Sequence, residues 1–320
     1  MKLMEVEELV GAECEVHPHE MEDYETETPR WCKGCGDHGV LQSIQKVLRD
    51  QQIDPERVVA VSGIGCSSRL PHYLRTYGFH GIHGRALPIS MGVKIGRPDL
   101  TVMTVMGDGD CFSIGAGHWV HAIRYNPDIK VFVLDNGVYA LTKKQASPTS
   151  QAGQVTNTTP YGAYLLPMNP LSIVLGITNV SFVAQTSTWN PIHMEDTIRR
   201  AWDHRGLAFV RIMQRCPVFM PDVFTLGSTA LTYLEHEEGI PVDATALRNA
   251  GRVTHDPRDL NAAQKIVLSE DPMPVGLIYW NPDVPSYEDV RYSHSKPVDR
   301  PTYLNLLNEQ LDKFTVHARE

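Results

Sequence analysis

The 320-residue chain carries 29 Lys and Arg against 38 Asp and Glu, a formal charge of −9, and 42% of its residues are hydrophobic. Residues 1–28 hold ten acidic residues and a single Lys, which accounts for the whole excess and leaves a body with 28 of each sign. A neutral body offers no electrostatic footprint for nucleic acid or an anionic membrane surface, and no apolar run approaches the roughly 20 residues of a membrane-spanning helix.

Residues 1–28 form an acidic extension with Tyr24 as its only aromatic and no clean helical period. Such a segment is expected to be disordered or draped over a neighbour. Its first residues are acidic and lack an apolar core, so no secretory signal is expected, and the protein reads as cytoplasmic, without a disulfide framework. From Trp31 to Met220 apolar strands at 58–61, 100–106, 129–134, 180–184 and 207–213 alternate with helical stretches at 39–50, 67–77, 85–96, 111–125 and 191–204. That alternation predicts an α/β fold, a parallel sheet with helices on both faces. The stretch 145–161, rich in Ser, Thr, Pro, Gly and Gln, reads as a long loop, and long ordered loops are usually functional. Beyond Pro221, 230–237 and 260–268 read as helices, 275–280 as a strand and 303–314 as a final helix. Prolines from 241 to 301 suit a tail wrapped on a partner. The expected organisation is an acidic extension (1–28), a binding domain (29–221) and a C-terminal extension of that domain at a subunit interface (222–320).

The most informative pair of motifs is Gly107-Asp108-Gly109-Asp110, closing strand 100–106, and Asp135-Asn136-Gly137-Val138, closing strand 129–134. One helix length separates them, so the strands should be parallel neighbours. Ligands in such sheets sit at the carboxyl ends of strands. Mg²⁺ takes octahedral oxygen ligands and usually combines one or two carboxylates with substrate phosphates. Asp108, the Asn136 amide oxygen and the Val138 backbone carbonyl would supply the protein's half of that shell. Glycines 107 and 109 would let the backbone approach a diphosphate. A bare Gly-Asp-Gly also serves tight strand-to-helix turns; the second strand ending in Asp-Asn-Gly favours the metal reading.

Of six cysteines, Cys32 and Cys35 stand in Trp31-Cys32-Lys33-Gly34-Cys35-Gly36, Cys66 in Gly63-Ile64-Gly65-Cys66-Ser67-Ser68, and Cys216 follows strand 207–213 just before Pro217. All four fall on one rim of the expected sheet. Four thiolates meeting there can hold either Zn²⁺ or a [4Fe–4S] cluster, and spacing does not separate the two. Cys111 opens a helix and reads as a small buried residue; Cys14 lies in the acidic extension without a partner.

These motifs, with His83-Gly84-Arg85-Ala86 and Tyr139-Ala140-Leu141-Thr142-Lys143…Gln145-Ala146-Ser147-Pro148-Thr149, resemble the β subunit of 2-oxoacid:ferredoxin oxidoreductases in family order, over roughly residues 29–221. The resemblance implies a thiamine-diphosphate-binding fold, with thiamine diphosphate, Mg²⁺ on Asp108, Asn136 and Val138, and one [4Fe–4S] cluster on Cys32, Cys35, Cys66 and Cys216. It implies cofactor contacts at Ile64, Gly65, Cys66, Ser67, Gly109, Asp110, Ala140 and Leu141. His83 reads either as one more contact or as a helix-start histidine bonded to backbone. It further implies a companion α subunit, in an α2β2 assembly, that supplies the Glu for the aminopyrimidine ring. The implied reaction is CoA-dependent oxidation of 2-oxoglutarate to succinyl-CoA and CO₂ with ferredoxin as acceptor, or its reverse. Pyruvate or broad 2-oxoacid specificity is the near alternative, and a zinc-stabilised non-catalytic subunit the distant one. A dicarboxylic substrate needs a cation for its distal carboxylate; Arg69 and Lys143 are the candidates. Lys144 departs from the family, which prefers Gly there.

Overall fold

The structure is a computed structural model that describes residues 18–224, 230–243, 250–269, 271–293 and 298–314. Helix α1 (Asp37–Asp50) precedes strand β1 (Val58–Ser62), a 3-10 turn (Ser67–His72) and strand β2 (Tyr77–His80). Helix α2 (Ala86–Gly96) leads to β3 (Thr101–Gly107), a π turn (Asp110–Ile114), α3 (Ala116–Tyr125) and β4 (Ile129–Asp135). A small antiparallel pair, β5 (Val138–Tyr139) with β6 (Gln145–Ala146), is followed by α4 (Pro170–Leu175), β7 (Phe182–Ser187), α5 (Pro191–Trp202) and β8 (Ala208–Met213). Then come β9 (Leu231–Glu235), β10 (Gly251–Thr254), α6 (Leu260–Ile266), β11 (Met273–Trp280), α7 (Tyr287–Tyr292) and α8 (Arg300–Asp312).

Nine strands make one sheet in the order β10-β9-β11-β7-β8-β4-β3-β1-β2. It is parallel except where β11 runs against β7. Side chains alternate across a strand, and here they feed two cores. Val58, Ala60, Met103, Val105, Phe132 and Val210 join α1 and α5 on one face. Val59, Val61, Val102, Val131, Val133 and Phe209 join α2, α3, α4 and α6 on the other. Helix α1 buries Val40, Leu41, Ile44, Val47 and Leu48, the spacing of one helical stripe. Helices α4 and α5 start alike: Asn169 and Asn190 cap the amides of Ser172 and His193, with Pro in the first turn.

Several expectations are corrected. The stretch 67–77 is helical only as the short 3-10 turn, which contains Pro71, and then gives way to edge strand β2. Helix 111–125 is interrupted by the π turn and Gly115, and regular winding begins at Ala116. Residues 230–237, expected as a helix, form β9, whose Leu231, Tyr233 and Leu234 are buried between β10 and β11; sheet pairing overrides the local pattern. Strand 180–184 starts later, at Phe182, because Ser181 is tied by its hydroxyl to Asn126 and His204. The acidic arm is anchored where it is described. Tyr24 is fully buried, its hydroxyl donates to the Ile53 carbonyl at 2.7 Å, and Glu25 bridges to Leu74. Residues 1–17, with Cys14, lie outside the described residues. The C-terminal segment is more than a wrapping tail, since β9 and β11 extend the main sheet. Among the described residues no helix is long and apolar enough to cross a membrane.

Candidate active site

The chain leaves β1 toward β2 on one side and β3 toward β4 on the other. Loops that diverge in this way open a crevice at the carboxyl ends of the strands. A cleft of about 500 Å³ lies there, walled by 64–67, 107–110, Asn136, 138–142 and His83. All eight expected cofactor contacts line it: Ile64, Gly65, Cys66, Ser67, Gly109, Asp110, Ala140 and Leu141. Asp108, Asn136 and Val138 line it as well.

Asp108 is buried at the cleft floor, where its Oδ2 accepts from the Thr149 hydroxyl at 3.0 Å. The same hydroxyl lies 2.7 Å from Asp135 Oδ1. Arg211 reaches the other oxygen of Asp135 with Nε at 2.7 Å and Nη2 at 2.6 Å. The guanidinium pairs with Asp135, whose charge still bears on Asp108; Asp108 itself has the hydroxyls of Thr149 and Ser147 and, among the described residues, no cation. Burial first, and Asp135 second, push the Asp108 carboxyl up to about 7. A buried carboxylate short of a counter-charge is a donor that a hard divalent cation fits. Asn136 folds into an Asx turn, its Oδ1 accepting from Val138 N at 3.1 Å, which leaves that oxygen its second lone pair. A side chain on Gly109 would overlap the ring of Tyr139, whose hydroxyl donates to the Gly109 carbonyl at 3.0 Å.

The cysteine loops are pinned to one another by two hydrogen bonds. Trp31 Nε1 donates to the Cys66 carbonyl at 2.7 Å, and Gln214 Nε2 donates to the fully buried Asp37 at 2.9 Å. The first fixes the Cys32–Cys35 loop to the Cys66 loop, the second to the end of β8 that leads into Cys216. Cys66 packs against the small cluster formed by Val138, Ala140, Cys216 and Met220. Burial pushes the Cys66 thiol up to about 12, with Asp37, Cys216 and Cys32 adding to it, and burial raises Cys35 likewise. Among the described residues no three His, Cys, Asp or Glu side chains close around a single metal ion. Cys111 is wholly buried in the core, as its position in the sequence suggests.

Neither Arg69 nor Lys143 lines the cleft, which corrects the expectation that both face it. Arg69 Nε donates to the Tyr73 hydroxyl at 3.1 Å. Lys143 is exposed on a turn in which Lys143 and Lys144 have φ of 67° and 72°. Left-handed backbone at both residues explains why glycine suits position 144. Sequence reasoning quoted Asp135 and Thr149 within motifs but gave them no role, and it missed Arg211 and Gln214. Thr149 lies in the long loop at 145–161, but nothing in its spacing ties it to Asp108.

Residues 63–212 match the family model for the thiamine pyrophosphate enzyme C-terminal TPP binding domain, and residues 246–295 match the model for the C-terminal part of the pyruvate ferredoxin oxidoreductase beta chain. The chain is 46% identical over 190 residues to the 2-oxoglutarate oxidoreductase subunit KorB of Mycobacterium tuberculosis, a match spanning 59% of this chain and about half (51%) of that protein. It is 36% identical over 282 residues to the 2-oxoacid:ferredoxin oxidoreductase subunit beta of a Sulfolobus species, covering 86% of this chain and 88% of the relative. Among solved structures it resembles the 2-oxoglutarate:ferredoxin oxidoreductase from Magnetococcus marinus with 2-oxoglutarate, coenzyme A and succinyl-CoA bound, with a TM-score of 0.76, 34% identity and coverage of 92% of this chain and 97% of that one. The cleft, the cysteine rim and these matches agree, and the chain belongs to the family of 2-oxoacid:ferredoxin oxidoreductase β subunits.

Proposed function

We propose that this chain is the β subunit of a 2-oxoglutarate:ferredoxin oxidoreductase. The enzyme converts 2-oxoglutarate and CoA to succinyl-CoA and CO₂ and passes the electrons through a [4Fe–4S] cluster to ferredoxin, or runs the reverse carboxylation. One observation carries the reading: loop 64–67 both lines the cleft and packs Cys66 against the small cluster that includes Cys216. A cofactor site and a thiol cluster that share a residue suit one-electron transfer out of the cleft.

Thiamine diphosphate, when bound, supplies the carbanion and the electron sink. The chain's own part is to seat and orient it. Asp108, with the Asn136 amide oxygen and the Val138 carbonyl, would hold Mg²⁺, while glycines 107 and 109 keep the floor open to phosphate. Cys32, Cys35, Cys66 and Cys216 would hold the cluster, with Trp31 and Gln214 keeping the three loops in register. No Glu lines the cleft among the described residues, which supports a companion α subunit as the source of the aminopyrimidine's carboxylate partner. Arg69 and Lys143 stand outside the cleft, so the cation for a distal carboxylate is assigned to the α subunit too. The preference for 2-oxoglutarate rests on the substrates named for the Mycobacterium and Magnetococcus proteins; the broader name of the Sulfolobus relative supports a second reading, in which several 2-oxoacids are accepted.

The test is ferredoxin reduction by the chain co-purified with its α subunit. Reduction that requires CoA and runs faster with 2-oxoglutarate than with pyruvate is expected. No reduction with any 2-oxoacid would contradict the reading.

A further inference from the structure

His83 stands in the cleft wall beside Ile64 and Gly65, on a loop ahead of α2. Its Nδ1 is hydrogen-bonded to Asp110 Oδ1. That carboxylate is seated through Oδ1, while its Oδ2 is buried with no hydrogen-bond partner among the described residues. Asp110 is 2% exposed, and its Oδ1 also accepts from Gly84 N at 2.7 Å and Ile64 N at 3.3 Å. A Cβ on Gly63 would overlap the carboxylate. Gly84 has φ of +72°, and a Cβ there would press into the backbone of Ile114 and Gly115. Two glycines and two backbone amides therefore hold one buried carboxylate against one imidazole nitrogen.

The consequence is a fixed tautomer. Oδ1 already accepts from the Gly84 and Ile64 amides and so carries no hydrogen of its own; Nδ1 is therefore the donor, and the pair orients the ring as a carboxylate orients a catalytic imidazole elsewhere. Nε2 is then the nitrogen free to exchange a proton, and it has no protein partner among the described residues. Tyr139 meets the ring edge-on, with centroids 6.0 Å apart, but gives its own hydroxyl to Gly109. Asp110 and Tyr139 are the titratable groups shown in contact with this imidazole.

Oxidative decarboxylation of a 2-oxoacid has use for such a nitrogen. When the 2-oxo carbon gains its new bond, the carbonyl π pair moves to oxygen, which must take up one proton. When the thioester carbonyl re-forms, that oxygen must give the proton back. The balance over the cycle is zero, so one site that lends and recovers a proton suffices. We propose that His83, held by Asp110, is the residue through which this chain exchanges a proton with the reacting oxygen of the substrate. The assignment rests on the 2-oxoacid reading above. His83 is here a catalytic residue, Asp110 a positioning residue.

The test uses the chain assembled with its α subunit, as wild type, His83→Gln, His83→Ala and Asp110→Asn. Thiamine content, iron content and melting temperature are expected to match wild type in both His83 variants. kcat should fall about 100-fold or more, the usual worth of a positioned acid–base group, with KM nearly unchanged. Added imidazole should restore part of the kcat of His83→Ala, a recovery that a structural role would not show. Asp110→Asn should lower kcat in the same direction without a rise in KM. An active wild type with His83→Gln at full kcat would overturn the assignment while leaving the 2-oxoacid reading intact. So would a loss confined to KM without rescue, or loss of thiamine from both His83 variants. A wild-type complex inactive with every 2-oxoacid would overturn both.

Discussion

The hydroxyl of Thr149 lies 3.0 Å from Asp108 Oδ2, although the two residues are 41 positions apart in the chain. Asp135 Oδ1 lies 2.7 Å from the same hydroxyl, and its Oδ2 is paired with Arg211. One hydroxyl hydrogen cannot serve two carboxylates at once. The arrangement therefore braces Asp108 in place while leaving its charge open to the cleft.

Asp108→Ala is expected to abolish thiamine diphosphate retention without lowering the melting temperature of cofactor-free protein. The substitution removes a buried carboxylate that has no cation of its own, a group costly to keep ionised. Thermal denaturation with and without cofactor, alongside thiamine quantification, checks it. A large drop in cofactor-free stability would mean that Asp108 is chiefly structural.

Thr149→Val should weaken Mg²⁺-dependent thiamine diphosphate binding roughly tenfold to a hundredfold, because a hydrogen bond to a charged group contributes about 1.5–3 kcal/mol. Thr149→Ser, which keeps the hydroxyl, should stay close to wild type. Titration of intrinsic fluorescence separates the two; equal affinity in all three proteins would remove Thr149 from the site.

In protein stripped of divalent cations, burial and then Asp135 raise Asp108 from 3.8 to about 7. A raised folded-state value contributes stability that is present below 3.8 and lost as the pH rises through about 7. The stripped protein should therefore melt at lower temperature at pH 8 than at pH 6. Mg²⁺ competes with the proton, so its affinity should climb about tenfold per pH unit toward 7 and then level off. A cation affinity that does not vary between pH 5 and 7 would contradict this placement of Asp108.

Cys216→Ser should lose iron and acid-labile sulfide, whereas Cys111→Ser should keep both. Cys216 belongs to the cluster against which Cys66 packs, while Cys111 sits wholly buried in a different core. Gln214→Leu should lower iron occupancy as well, since it releases Asp37 and the loop of Cys32 and Cys35. Unchanged iron in Cys216→Ser would place the fourth ligand elsewhere.

The β1, β3, β4 and β8 strands were legible because each is a continuous apolar run, and the cleft followed from where such runs end. Asp108, Asn136 and Cys66 were found for that reason. The role of Thr149, and Arg211 and Gln214 altogether, were not, because each acts across strands or loops that only the sheet order brings together. Arg69 shows the same limit from the other side. It follows the Cys66 loop closely, but its Nε donates to the hydroxyl of Tyr73, which closes the 3-10 turn four residues on. Arg69→Ala is accordingly expected to change the 2-oxoglutarate to pyruvate preference little. A clear loss for 2-oxoglutarate alone would return it to the substrate site. Residues 230–237 misled because Leu231, Tyr233 and Leu234 suit a helix face as well as a strand, and only pairing with β10 and β11 decides between them.

The most direct measurement is to add 2-oxoglutarate anaerobically to the purified complex of this chain with its α subunit, without ferredoxin, and to follow the visible absorption of the cluster. The account predicts bleaching that coincides with CO₂ release and disappears in both Asp108→Ala and Cys216→Ser. CO₂ release with no bleaching, or a preparation holding zinc in place of iron and sulfide, would contradict it.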